Sequence, residues 1–114
     1  MRVACERTPR FILRVFTETE RAYCASRGAA AAQHYAARFA AKEAALKALG
    51  TGWRGGLTWQ DVEIVANEAG APALRFHNQA RTLFQNSGAD TAHLTLSHTT
   101  EHAVAQVVLE RREA

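Results

Sequence analysis

From about Ala30 to Leu49 the chain is built almost wholly of strong helix formers, and Gly50 supplies the stop that follows them. A helix of that length has to bury one side, so the rest of the fold must be arranged around it. At about 100° per residue, Tyr35, Phe39, Leu46 and Leu49 form one apolar stripe, with Lys42 set inside it. Beside it run Ala36, Ala40, Glu43 and Lys47, two charges framed by small side chains. A solvated face ordinarily carries longer polar groups, and alanines there leave room for something to lie against the helix.

Upstream, Thr17-Glu18-Thr19-Glu20 reads as a capping box, with a short helix running on through about Ser26. Phe11-Ile12-Leu13 and Val15-Phe16 supply a further helical turn or two packed against it. The second half changes period. Val62, Ile64 and Ala66 alternate with Glu63 and Val65, as in a half-buried strand. Asn67-Glu68-Ala69-Gly70 makes a turn, and Pro72 opens a second strand through Phe76. A helix from His77 to Ser87 is closed by Gly88. Ala92, Leu94 and Leu96 alternate with polar residues, and Ala103 to Leu109 forms the matching strand across a Thr99-Thr100-Glu101 turn. Helices first and hairpin strands later predict an α+β domain in which the long helix packs on a small antiparallel sheet.

At 114 residues the chain has room for one domain, and 47% hydrophobic with 22% charged residues is a globular balance. No apolar run is long enough to cross a bilayer, and the first ten residues have no signal-peptide core, so a cytoplasmic protein without membrane contact is expected. Cys5 and Cys24 lack any paired spacing, which argues against a disulfide framework or zinc knuckle. Fourteen basic against 11 acidic residues suit an anionic partner. Nucleic acid is disfavoured, because no dense Arg/Lys stripe interleaves with aromatics.

Five features carry possible chemistry. Gly50-Thr51-Gly52-Trp53-Arg54-Gly55 has the spacing of a dinucleotide fingerprint but follows a helix, whereas that motif must follow a strand. His98-Thr99-Thr100-Glu101-His102 has an inverzincin spacing, yet its flanks are β-rich and cannot set both histidines on one helical face. Glu43 and Lys47, four apart, are either a surface ion pair or a Mg²⁺-holding carboxylate beside a phosphate-holding ammonium. His98 continues the inward face of Ala92, Leu94 and Leu96, as a core or a functional histidine. Arg10 and Arg14 share a helical face, as solvated charge or a basic docking patch.

Taken in order, these segments resemble the holo-acyl-carrier-protein synthases of the 4′-phosphopantetheinyl transferase family. Arg38-Phe39-Ala40-Ala41-Lys42-Glu43-Ala44 and Lys47-Ala48-Leu49-Gly50-Thr51-Gly52 carry the family signature. Leu57-Thr58-Trp59-Gln60-Asp61-Val62-Glu63, Gly70-Ala71-Pro72, Leu96-Ser97-His98-Thr99 and the final Ala103–Val108 strand follow in sequence. The likeness runs from about Arg10 to Arg111. It implies transfer of the 4′-phosphopantetheine arm of coenzyme A to a serine of apo acyl carrier protein, with Mg²⁺, by a homotrimer with sites between subunits; the acceptor belongs to fatty-acid or polyketide synthesis, and the sequence does not separate the two. By that resemblance Glu43 is a Mg²⁺ ligand, Lys47 contacts the coenzyme A phosphates, and His98 lines the same site. Arg38, Gly50 and Pro72 join the coenzyme-binding set, while Arg10 and Arg14 receive the acidic carrier protein.

Family members begin with a strand of the type Gly-x-Asp-Ile-x-Glu, whose Asp is the second Mg²⁺ carboxylate, and nothing here matches it. By register that strand falls ahead of Arg2, and neither Glu6 nor Asp61 replaces it by motif position. Three readings stay open: a fragment or wrongly chosen start, a short paralogue binding coenzyme A or carrier protein without efficient transfer, or a carboxylate lent by a neighbouring subunit. The expectation is that the chain as written transfers more slowly than the same sequence carrying the upstream strand. Losing that strand would also expose a sheet edge.

Overall fold

A computed structural model describes residues 9–50, 57–99 and 102–111. Its elements are α1 (Arg10–Val15), α2 (Glu18–Ala25), α3 (Ala31–Leu49), β1 (Val62–Ala66), β2 (Pro72–Phe76), α4 (Asn78–Asn86), β3 (Thr91–His98) and β4 (Ala103–Glu110). Short 3₁₀ turns at Gly28–Ala30 and Trp59–Asp61 lead into α3 and β1. The two glycine-motif and hairpin-turn segments predicted at Thr51–Gly55 and Thr100–Glu101 lie outside the described residues.

The capping box is formed as the sequence predicts. The Glu20 N–H donates to the Thr17 hydroxyl at 3.2 Å, and the Thr17 N–H donates to Glu20 Oε1 at 2.8 Å. The C-terminal carbonyls of α1 are taken up by neighbours: Gln60 Nε2 donates to Leu13 and Phe16 at 2.9 and 3.0 Å, and Arg21 Nη1 to Phe16 at 2.6 Å. Gly50 ends α3 at φ 74°, in the left-handed region, and its N–H reaches back to Leu46 and Lys47.

The long helix packs on antiparallel strands as expected: among the described residues β1 pairs with β2 and β3 with β4, β2 lies against β3, and α3 packs against β1, β3 and β4. Val62 stands opposite Phe76, and His98 opposite Ala103. One expectation needs correcting: the alternation in β1 fails, since Glu63 is buried and Ala66 exposed. Period two sorts side chains onto faces, but here both faces near Val62 are covered.

Two apolar clusters make the core. Ile12, Val15, Phe16, Cys24 and Tyr35 fill one, and Ala45, Leu46, Leu57, Val62 and Ala80 fill the other, with Trp59 packed against both. Along α3, Lys42 lies between the residues that feed the first cluster and those that feed the second. Burial pushes the Cys24 thiol up to about 11, against the nearby Arg38 and with help from Glu20, so it stays an un-ionised packing group at neutral pH.

Candidate active site

Lys42 is fully buried, and its ammonium has a complete set of acceptors. It meets Glu20 Oε1 at 2.9 Å, the Trp59 carbonyl at 3.1 Å, and the Val62 carbonyl. Glu20 in turn accepts the Ile64 N–H at 2.8 Å. Burial lowers the Lys42 pKa, while Glu20 and, more weakly, Glu63 and Asp61 hold it up. This explains a lysine inside an apolar stripe: it ties α2, α3 and β1 together instead of facing a ligand.

One residue further round the helix the environment reverses. Glu43 and Lys47 are exposed, on the face that carries exposed Ala36 and half-buried Ala40. No ion pair joins the two among the described residues. The surface-pair reading therefore loses ground, and both charges stand ready for a ligand. Lys47 also sits in the last turn, where the helix dipole favours a cation and a bound anion is drawn to the ammonium.

The remaining candidates divide between places. Arg38, Pro72 and His98 come together, with Tyr23, His34, Ala66, Gly70 and Leu96, around a cavity of about 190 Å³. The Arg38 guanidinium lies 4.1 Å over the Tyr23 ring, and its Nε, buried, has no hydrogen-bond partner. Among the described residues the cavity wall carries the Arg38 guanidinium and no carboxylate, which favours an anion. Glu43, Lys47 and Gly50 do not line it. Arg10 and Arg14 are exposed on α1, one at each end. His98 sits at the inner-face register of β3 but is exposed, at the strand's end. Sequence reading missed His34 and Tyr23; the available signal was that His34 stands one turn ahead of Arg38 on the same helix face.

A second polar cluster joins α2 to β1. Glu63 accepts the Thr17 hydroxyl at 2.7 Å and contacts His77 Nε2 at 2.8 Å. Burial raises the Glu63 pKa, but the Thr17 and His77 bonds and the charges of His77 and Arg75 outweigh it, leaving the carboxyl below the ordinary value of 4.5. A depressed folded-state pKa contributes stability above the ordinary value, and that contribution is lost as pH falls through the lowered one. Thermal melting of the wild type is expected to drop across the acid range below 4.5, with Glu63→Gln showing a flatter profile there. Parallel profiles for the two proteins would contradict this.

A sequence profile of the 4′-phosphopantetheinyl transferase superfamily matches residues 1–107. The chain belongs to this superfamily. It is 50% identical over 101 residues to a holo-[acyl-carrier-protein] synthase of Koribacter versatilis, covering 89% of this chain and 80% of that one. The holo-[acyl-carrier-protein] synthase of Thermotoga maritima superposes with a TM-score of 0.73 at 39% identity, over 94% of this chain and 58% of that one. The Bacillus anthracis holo-(acyl-carrier-protein) synthase, solved in complex with CoA (3′,5′-ADP), superposes at 0.71 with 37% identity, over 90% and 81% of the two chains.

For a phosphopantetheinyl transferase the relevant test is whether these residues suit Mg²⁺. Among the described residues no three His, Cys, Asp or Glu side chains gather to hold a metal. That excludes a closed zinc-type cage within them, but Mg²⁺ takes one or two carboxylates and keeps its waters and phosphate oxygens. A single exposed carboxylate one helical turn from an exposed ammonium matches that donor set, so Glu43 fits. Among the described residues no helix is long and apolar enough to cross a membrane.

Proposed function

We propose that this chain, a phosphopantetheinyl transferase by family, moves the 4′-phosphopantetheine arm of coenzyme A onto a serine of apo acyl carrier protein. The observation that carries the reading is the α3 face on which Glu43 and Lys47 stand exposed among alanines, with no ion pair to any described residue. The acceptor serine hydroxyl gives up its proton to a base or to solvent, its oxygen bonds to the pantetheine-side phosphorus, the pyrophosphate P–O bond breaks, and adenosine 3′,5′-bisphosphate leaves with the electron pair. Charge builds on phosphate oxygens, so positioning and cationic stabilisation supply most of the acceleration.

Glu43 would hold Mg²⁺, which supplies neutralisation of the pyrophosphate charge. Lys47 pairs with the phosphates as a point charge. Arg38, Pro72 and His98 bind a further part of coenzyme A in their shared cavity, and Gly50 lets ligand approach the helix end without a side chain in the way. Ala36 and Ala40 give clearance. Arg10 and Arg14 form the docking patch for the acidic carrier protein. We place the reaction in the cytoplasm and in fatty-acid synthesis.

The family resemblance implies a homotrimer, and the outward face of β4, where Val104 and Val108 are 64% and 48% exposed, offers an apolar surface for a contact between copies. Sedimentation equilibrium is expected to return three times the 12.5 kDa chain mass. A persistent monomer would contradict the trimer.

Product analysis tests the reaction. Adenosine 3′,5′-bisphosphate is expected to appear one-for-one with loss of coenzyme A, only with Mg²⁺ and a carrier protein that has its serine. Cleavage of coenzyme A without the acceptor would overturn the assignment; binding without turnover would leave a non-catalytic coenzyme A or carrier-protein module.

A further inference from the structure

His34 has no part in the mechanism above, yet it lies at the back of the Arg38 cavity in contact with a residue that does. Its ring meets His98 with centroids 4.9 Å apart at 65°, edge to face. On its other side it meets Tyr23 at 5.5 Å and 73°. Tyr23 is itself covered by Arg38 at 4.1 Å and approached by Arg27 at 5.5 Å. The result is a chain of rings from α2 through α3 to the end of β3. His98 is the last residue of β3, opposite Ala103, and its side chain is exposed there.

We infer that His34 is the positioning residue for His98: its ring buttresses the His98 imidazole from behind and fixes the direction in which it faces a ligand in the cavity. The inference rests on the reading that His98 belongs to the coenzyme A site. The groups that face His34 explain why it serves as a wall and not as a second cation. Burial, then His98, Arg38 and Arg27 all lower its pKa below 6.5, and among the described residues no carboxylate lines the cavity to oppose them. A neutral ring stays in edge contact, whereas two imidazolium ions at that spacing repel.

The test is a double-mutant cycle on the full chain, read as KM for coenzyme A. His34→Ala is expected to raise KM about 3- to 10-fold, the span of one edge-to-face aromatic contact, with kcat little changed. His34→Phe keeps the ring and is expected to restore wild-type KM, which loss of a hydrogen bond or charge would not allow. In a His98→Ala background, His34→Ala is expected to add less than twofold. Full additivity, or no effect of His34→Ala beside a raised KM for His98→Ala, would overturn the inference and leave His98 in the site. No effect of His98→Ala would remove the underlying reading itself. If His34→Ala does not fold, NMR on the wild type decides: coenzyme A is expected to move the His34 and His98 ring signals together. A His98 shift with His34 unmoved overturns the proposal, and a silent His98 overturns its premise.

Discussion

Lys42→Met is expected to lower stability by about 3–5 kcal/mol, because it leaves Glu20 as an unpaired buried charge. Both members of the pair have fully buried side chains, and the two backbone carbonyls that accept from Lys42 lose their donor as well. For a domain this small the melting temperature should fall by roughly 10–30 °C. Adding Glu20→Gln removes the stranded charge and should recover part of the loss. It cannot recover all of it, since the Thr17 and Ile64 N–H groups each rely on a Glu20 oxygen. Calorimetry of the three proteins checks this, and a Lys42→Met protein melting within a few degrees of wild type would contradict it.

The adjacent residue should behave in the opposite way. Glu43→Gln is expected to cut transfer on the order of 10²–10³-fold while leaving stability within about 0.5 kcal/mol of wild type. Its carboxylate is exposed and makes no ion pair among the described residues, so the fold does not depend on it. Lys47→Met should also leave the fold intact and weaken coenzyme A binding. Steady-state rates beside thermal melts separate the two classes. A Glu43→Gln enzyme with near-wild-type turnover would remove the metal role, and one that melts early would make Glu43 structural.

What could be read from the sequence was local. The Thr17 capping box, the Gly50 stop and the Asn67–Gly70 turn each depend on residues within one or two turns of one another, and the structure has them as expected. The α3 stripes were legible because helical geometry alone assigns faces. What escaped was pairing across distance. Lys42 looked anomalous because its acceptors come from α2 and from the turn leading into β1, far along the chain. Glu63 looked solvent-facing because alternation ignores Thr17, 46 residues away, and His77 across the strand pair. His34 escaped for the same reason, since its partner lies at the far end of β3.

The measurement that bears most directly on the whole reading is the mass of the carrier protein. Apo acyl carrier protein is incubated with this chain, coenzyme A and Mg²⁺, then weighed. The account predicts a gain of one phosphopantetheine on the serine, absent with chelator and with Glu43→Gln. A folded chain that binds coenzyme A yet leaves the carrier mass unchanged would contradict it.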